Sequence, residues 1–204
     1  MKNIAFTFAL VFVLFPAFSG AEIVINEILP SPSTDWNGDG VYNYRDDEWV
    51  EIYNNSDLPA SLDGYRLGDA DTTWRYGFCG VLPGKCHLVV FGSQSYAWEK
   101  SNGYPAYGLS LGNTGDIVRL WKFVGLDSFQ VDVYVYDKYA GGTSRSVGRK
   151  PSGGPDWFLF DSLNPYTGLE PPLGTGCPPT PGGANGCATG VESGRWGEIK
   201  ALFR

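Results

Sequence analysis

A chain of 204 residues with a formal net charge of −7 carries 22 acidic side chains against 15 basic ones, a balance that argues against sequence-independent binding to a phosphate backbone. One histidine leaves no material for a histidine-rich metal centre and disfavours a Ser-His-Asp hydrolase set. Twenty-eight glycines and 14 prolines, together with seven tryptophans, 12 tyrosines and 12 phenylalanines, describe many short strands joined by tight turns.

Residues 1–21 read as a secretory signal: Lys2 supplies the positive start, IAFTFALVFVLFPAF the apolar stretch, and Ser19-Gly20-Ala21 the small residues of a cleavage site. The apolar run is short and broken by Pro16, which argues against a membrane span. Cleavage before Glu22 would remove one lysine and leave a soluble, exported chain with a net charge of about −8.

EIVINEIL (22–29) reads as the first strand. WVEIYN (49–54) alternates, with Val50 and Ile52 on one face and Trp49, Glu51 and Tyr53 on the other. LDGYRLGD, CHLVVFG, GDIVRLWKF and FQVDVYVYD follow, each bounded by Gly, Pro, Asn or Asp. In the last of these Phe129, Val131, Val133 and Val135 oppose Gln130, Asp132, Tyr134 and Tyr136, giving one face for the core and one that is wet or aromatic-lined. From Gly141 the chain loosens, WFLF (157–160) reads as one more apolar strand, and the Pro/Gly-rich stretch to Cys187 is irregular. The series is the signature of an all-β sandwich or barrel. Only VESGRWGEIKALFR, within residues 188–204, has a helical pattern, with Trp196, Ile199, Leu202 and Phe203 near one face. It is read as a tail that docks on the domain or serves as a sorting tag.

Four cysteines in an exported chain imply two disulfides. Cys79 with Cys86 and Cys177 with Cys187 is the favoured pairing among the alternatives, because each pair brackets a short, turn-rich segment.

Between the first two strands lies DWNGDGVYNYRD (35–46). Asp35, Asn37, Asp39, Gly40, Val41, Asn43 and Asp46 stand at positions 1, 3, 5, 6, 7, 9 and 12 of an EF-hand-type loop. Calcium takes six to eight hard oxygens, and this spacing wraps them around one point. The expected ligands are the side chains of Asp35, Asn37, Asp39 and Asp46, the backbone carbonyl of Val41, and Asn43 directly or through water. The loop resembles that of a dockerin, but dockerins carry two such loops, each followed by a helix. Here there is one, followed by a strand, so cohesin binding is not implied.

Several segments, in order, resemble the lamin-tail domain as it occurs in exported bacterial proteins: IVINEILPSP, DEWVEIYNNSDLPASLDGYRLGD, LPGKCHLVVF, GLSLGNTGDIVRLW, VDVYVYD, SRSVGRKPSG and the terminal TPGGAN. The resemblance implies an immunoglobulin-like β-sandwich over residues 22–187 and an interaction module, without implying catalysis. The calcium-type loop and both cysteine pairs are departures from the family pattern.

The leading expectation is therefore an exported, non-catalytic binding or scaffold module, stabilised by calcium and disulfides, at the cell surface or outside the cell. Its partner is an unidentified protein or a surface glycan. Aromatic rings in or near turns, among them Tyr42, Tyr44, Tyr96, Tyr104 and Tyr107, are available to stack on sugars, and Trp74 and Trp98 are the leading ligand-binding candidates. The alternative is a small glycan-directed hydrolase using the acids of residues 46–51, with Glu48 or Asp47 set against Glu51. The bland explanation of those acids is loop ligation and a solvated strand face. His87 is read as an ordinary strand residue, and Arg145, Arg149 and Lys150 as a small solvated basic edge.

Overall fold

The computed structural model describes residues 22–70 and 73–187. The signal segment and the C-terminal tail expected from the sequence lie outside them. In chain order the elements are β1 (Ile23–Leu29), β2 (Trp49–Asn54), β3 (Ala60–Ser61), β4 (Tyr65–Gly68), β5 (Trp74–Gly77), β6 (Val81–Leu82) and β7 (His87–Phe91). They continue with α1 (Gly92–Ser101), β8 (Gly115–Val124), β9 (Asp127–Asp137), β10 (Ser146–Arg149) and β11 (Trp157–Phe160).

Strands β11-β10-β1-β2-β7 form one sheet, β5-β4-β8-β9 a second, and β3-β6 a small third, all by antiparallel pairing. Ile23, Ile25, Val50, Ile52, Val90, Val147 and Leu159 from the first sheet share one buried cluster with Tyr65, Leu67, Val118, Leu120 and Tyr136 from the second. The fold is thus the expected β-sandwich. Each fully buried aliphatic side chain adds roughly 1.5–3 kcal/mol of burial free energy, which is the attraction between the sheets. Among the described residues no helix is long and apolar enough to cross a membrane.

The alternation in β2 suggests one wet face, but all six residues are buried, because the far face of this sheet is covered as well. The cover is the segment around Thr180–Asn185: Thr180 donates to Glu27, the Gly182 N–H to Glu51, and the Asn185 amide to the carbonyls of Asn26 and Arg149. In β9 the aromatic side is the inner one. Val133 and Val135 are exposed while Tyr136 is buried. Asp132 accepts from the Ile25 N–H and from Arg149, and Tyr134 stacks on Trp157 at 3.6 Å between centroids, so this side ties the two sheets together.

Cys177 and Cys187 form the expected disulfide, which closes the covering segment. Cys79 and Cys86 do not pair; both are free thiols, Cys79 exposed and Cys86 half-buried. The segment between them is not a simple hairpin. It includes β6, which pairs with β3, and it carries the chain from β5 in one sheet to β7 in the other. The expected basic edge is likewise absent. Arg145 donates to the carbonyls of Tyr139 and Asn164, and Arg149 pairs with Asp132 at 3.0 Å and lies over the Trp157 ring.

Candidate functional site

The 35–46 loop leaves the sandwich after β1 and returns into β2, and its shape is set by side chains that fold back on their own backbone. The Asp35 carboxylate accepts from the N–H groups of Gly38 (2.7 Å), Asp39 (3.2 Å) and Gly40 (2.8 Å). Asn37 Oδ1 accepts from the Asp39 N–H and Asp39 Oδ1 from the Val41 N–H, both at 2.8 Å. Gly40 has φ +92°, in the region open to glycine, and makes the turn that brings residues 41–46 back. The Asn43 amide donates to Asp46 at 2.9 Å. Burial, with the nearby charges of Asp39 and Asp47, raises the Asp46 carboxyl above its ordinary range. Acids of one loop therefore repel one another, a condition that a bound cation relieves.

All six expected ligand residues lie within this one loop. Among the described residues, however, no group of three or more His, Cys, Asp or Glu side chains is arranged to hold a metal ion. Asp35 and Asp39 spend acceptor capacity on backbone N–H groups, and the Asn37 and Asn43 amides lie against Asp39 and Asp46. A carboxylate oxygen has two lone pairs, so these hydrogen bonds leave room for a metal contact.

The residue that organises the loop is one that the spacing does not pick out. Asp47 is fully buried, and its carboxylate accepts from the N–H groups of Trp36 (2.7 Å), Asn37 (2.9 Å) and Asn43 (2.8 Å). It stands one position past the end of the calcium-type pattern. Trp36 packs edge-on against the buried Trp49, anchoring the loop to the sheet. At its other end the loop meets α1: Ser93 N–H donates to the Asp46 carbonyl, Gly92 N–H to the Glu48 carbonyl, and a Cβ on Gly92 would collide with the carbonyl of Arg45.

The remaining acids are separated by the strand. Glu51 opposes Glu27 across β1 and β2, both at 0% exposure. Glu27 accepts from Ser146 and Thr180, Glu51 from Asn26 and the Gly182 N–H, and burial pushes Glu27 up to about 7 and Glu51 well above its ordinary value. Glu48 accepts from the Leu111 N–H, and burial raises it to about 8. Glu48 and Glu51 are thus on opposite sides of the chain, so they do not flank a substrate cleft, and the solvated strand face expected for these acids is buried instead. His87 packs on Tyr53 and contacts Ser152, and burial lowers it to about 4, so it is neutral at pH 7.

Trp74 and Trp98 are not together. Trp74 lies on the outer side of the four-stranded sheet, edge-on to Trp121 and Phe123 and beneath Arg66, beside a pocket of about 260 Å³. Trp98 stacks on Tyr104 and covers Gly77. A second pocket, of about 400 Å³, opens between the loop and α1; Asn43, Arg45, Asp46, Ser93, Tyr96 and Tyr107 line it. In the sequence Tyr96 and Tyr107 read as residues in or near turns; Tyr96 instead lies on α1, a helix absent from that reading, and α1 is what brings it to the loop.

No curated protein and no solved structure matches the chain. The family model described as Lamin Tail Domain matches residues 16–138, ending where β9 ends and before β10, β11 and the covering segment. With a match over more than half its length and the sandwich that the match implies, the chain belongs to the lamin tail domain family.

Proposed function

We propose that this protein is an exported, non-catalytic binding module of lamin-tail type that works at the cell surface or outside the cell. Its 35–46 loop holds a structural calcium ion, and the partner is an extracellular glycan or protein. The observation that carries the reading is the loop itself, where Asp35, Asn37 and Asp39 fold back in succession and Asp46 accepts from Asn43 at the end of the turn. Asp35, Asn37, Asp39 and Asp46 would supply side-chain oxygens and Val41 a carbonyl, with Asn43 direct or through water. Calcium supplies charge neutralisation there and no chemistry. Extracellular calcium is millimolar, so a weak site is sufficient.

Two measurements test this reading. Intact mass of the protein recovered from producing cells is expected to show an N-terminus near Glu22 in the medium or envelope fraction; an unprocessed chain held inside the cell would refute export. Calorimetric titration of calcium into chelator-stripped protein is expected to show one ion per chain, and no heat would refute the ion.

A further inference from the structure

The pocket between residues 43–46 and α1 has features of a built site. Its volume of about 400 Å³ falls in the small-ligand range of roughly 300–1,000 Å³. Tyr96 and Tyr107, 46% and 56% exposed, contribute aromatic rings to its lining. Asn43, Arg45, Asp46 and Ser93 supply donors and acceptors between them.

Both walls are held from behind. Glu99, fully buried on α1, accepts from the N–H groups of Tyr107 (2.7 Å) and Gly108 (2.8 Å). The same carboxylate pairs with Arg75 at 3.0 Å, and Arg75, also paired with Asp69, lies 5.9 Å from the Tyr107 ring centre. Tyr107 is therefore fixed by a buried network, and Asp47 fixes the opposite wall through the N–H of Asn43. Preorganisation of this kind lowers the entropy cost of binding.

The lining also selects a ligand class. Arg45 and Asp46 offset one another, which disfavours a phosphate, a strongly acidic peptide or a strongly basic one. A purely apolar ligand would use none of the donor and acceptor capacity that Asn43, Arg45, Asp46 and Ser93 keep beyond their contacts to one another and to Tyr44 and Asn37. A pyranose fits both constraints, with a C–H face for a tyrosine ring and neighbouring hydroxyls for planar amide, carboxylate and guanidinium groups.

We infer that this pocket is a saccharide subsite that takes a neutral pyranose unit, stacked on Tyr107 or Tyr96 and hydrogen-bonded by Asn43, Arg45, Asp46 and Ser93. The inference rests on the binding-module reading and names its ligand class. Because Asn43 and Asp46 belong both to this pocket and to the calcium-type loop, the subsite is coupled to the loop's ion.

The test is calorimetry of the protein from Glu22 to Arg204 in millimolar calcium against cellotetraose, chitotetraose, mannotetraose and xylotetraose. At least one is expected to bind, with affinity falling at least tenfold in Tyr107→Ala and in Tyr96→Ala and unchanged in Trp74→Ala. Tyr107→Ala keeps the backbone N–H that Glu99 holds and loses only the ring beside Arg75, so a cooperative melt with a wild-type β-rich spectrum serves as the folding control for both variants. Failure of all four sugars, or binding that only Trp74→Ala removes, overturns the subsite. Calcium calorimetry on the same sample then separates the two readings, since an ion without sugar binding removes only the subsite. Sugar binding that persists in EDTA yet is lost in Tyr107→Ala keeps the subsite and removes its coupling to the ion.

Discussion

Two acidic regions of this molecule meet the same electrostatic problem in opposite ways. The 35–46 loop keeps Asp35 and Asp39 exposed and satisfies them with backbone N–H groups, leaving charge that a cation can take. Glu27 and Glu51 are buried under the Thr180–Asn185 segment and satisfied by hydroxyl, amide and backbone donors, with protonation favoured over ionisation. Burial decides the difference. An exposed carboxylate can wait for an ion, whereas a buried pair must be neutralised by protons and fixed donors before the chain folds over it.

The comparison breaks first, if it is wrong, in the pH dependence of stability. Glu27, Glu48 and Glu51 all have raised values in the folded state, so they bind protons more readily folded than unfolded. Their contribution is fully present below about pH 4.5 and is lost as pH rises through about 7 for Glu27 and about 8 for Glu48. Glu27 alone carries on the order of 3 kcal/mol between those limits. Denaturant unfolding from pH 5 to 8 is expected to show a falling free energy, with a shallower slope in Glu27→Gln. An equal slope in that variant would mean that Glu27 ionises freely.

Glu51→Ala sharpens the same point without changing pH. It leaves the Gly182 N–H without its acceptor and the Asn26 amide with only Asn185 in a buried site, at a cost on the order of 3 kcal/mol. Faster amide exchange at Gly182 is expected alongside the lower denaturation midpoint. A loss under about 0.5 kcal/mol, the usual size for a surface change, would mean that the covering segment is not held there.

Asp47→Ala separates building the loop from binding an ion. Three N–H groups lose their acceptor, so about 2 kcal/mol should be lost in EDTA and in calcium alike. Asp39→Ala is the smallest effect. In EDTA it should cost no more than about 0.5 kcal/mol, as for an exposed side chain, and appear only as a lost response to calcium.

Much of the sandwich was legible in the sequence because its longer strands carry apolar runs or period-two patterns bounded by turn residues: β2, β7, β8 and β9 lie close to the expected segments. What was not legible is what does not follow apolar periodicity. Helix α1 buries Gly92, Ser95 and Glu99, a polar face that makes no helical stripe. Strand β10 is the tetrapeptide SVGR, placed beside β1 by its neighbours rather than by its own propensity. The calcium-type spacing marked the exposed loop correctly as a turn, yet Asp47, which holds it, looks in the sequence like one acid among several. The fate of Glu51 was hidden for another reason: its neutralising donors come from Asn26 and from Gly182, far along the chain.

The central claim, that the exposed loop is completed by calcium, is tested most directly by thermal unfolding of the protein and its Asp39→Ala variant in EDTA and in millimolar calcium. With calcium at about ten times its Kd, the wild type should gain roughly 3–6 °C and the variant nothing. A wild-type melting temperature that is the same in both buffers would contradict the account, leaving the 35–46 loop as a turn held by Asp47 alone.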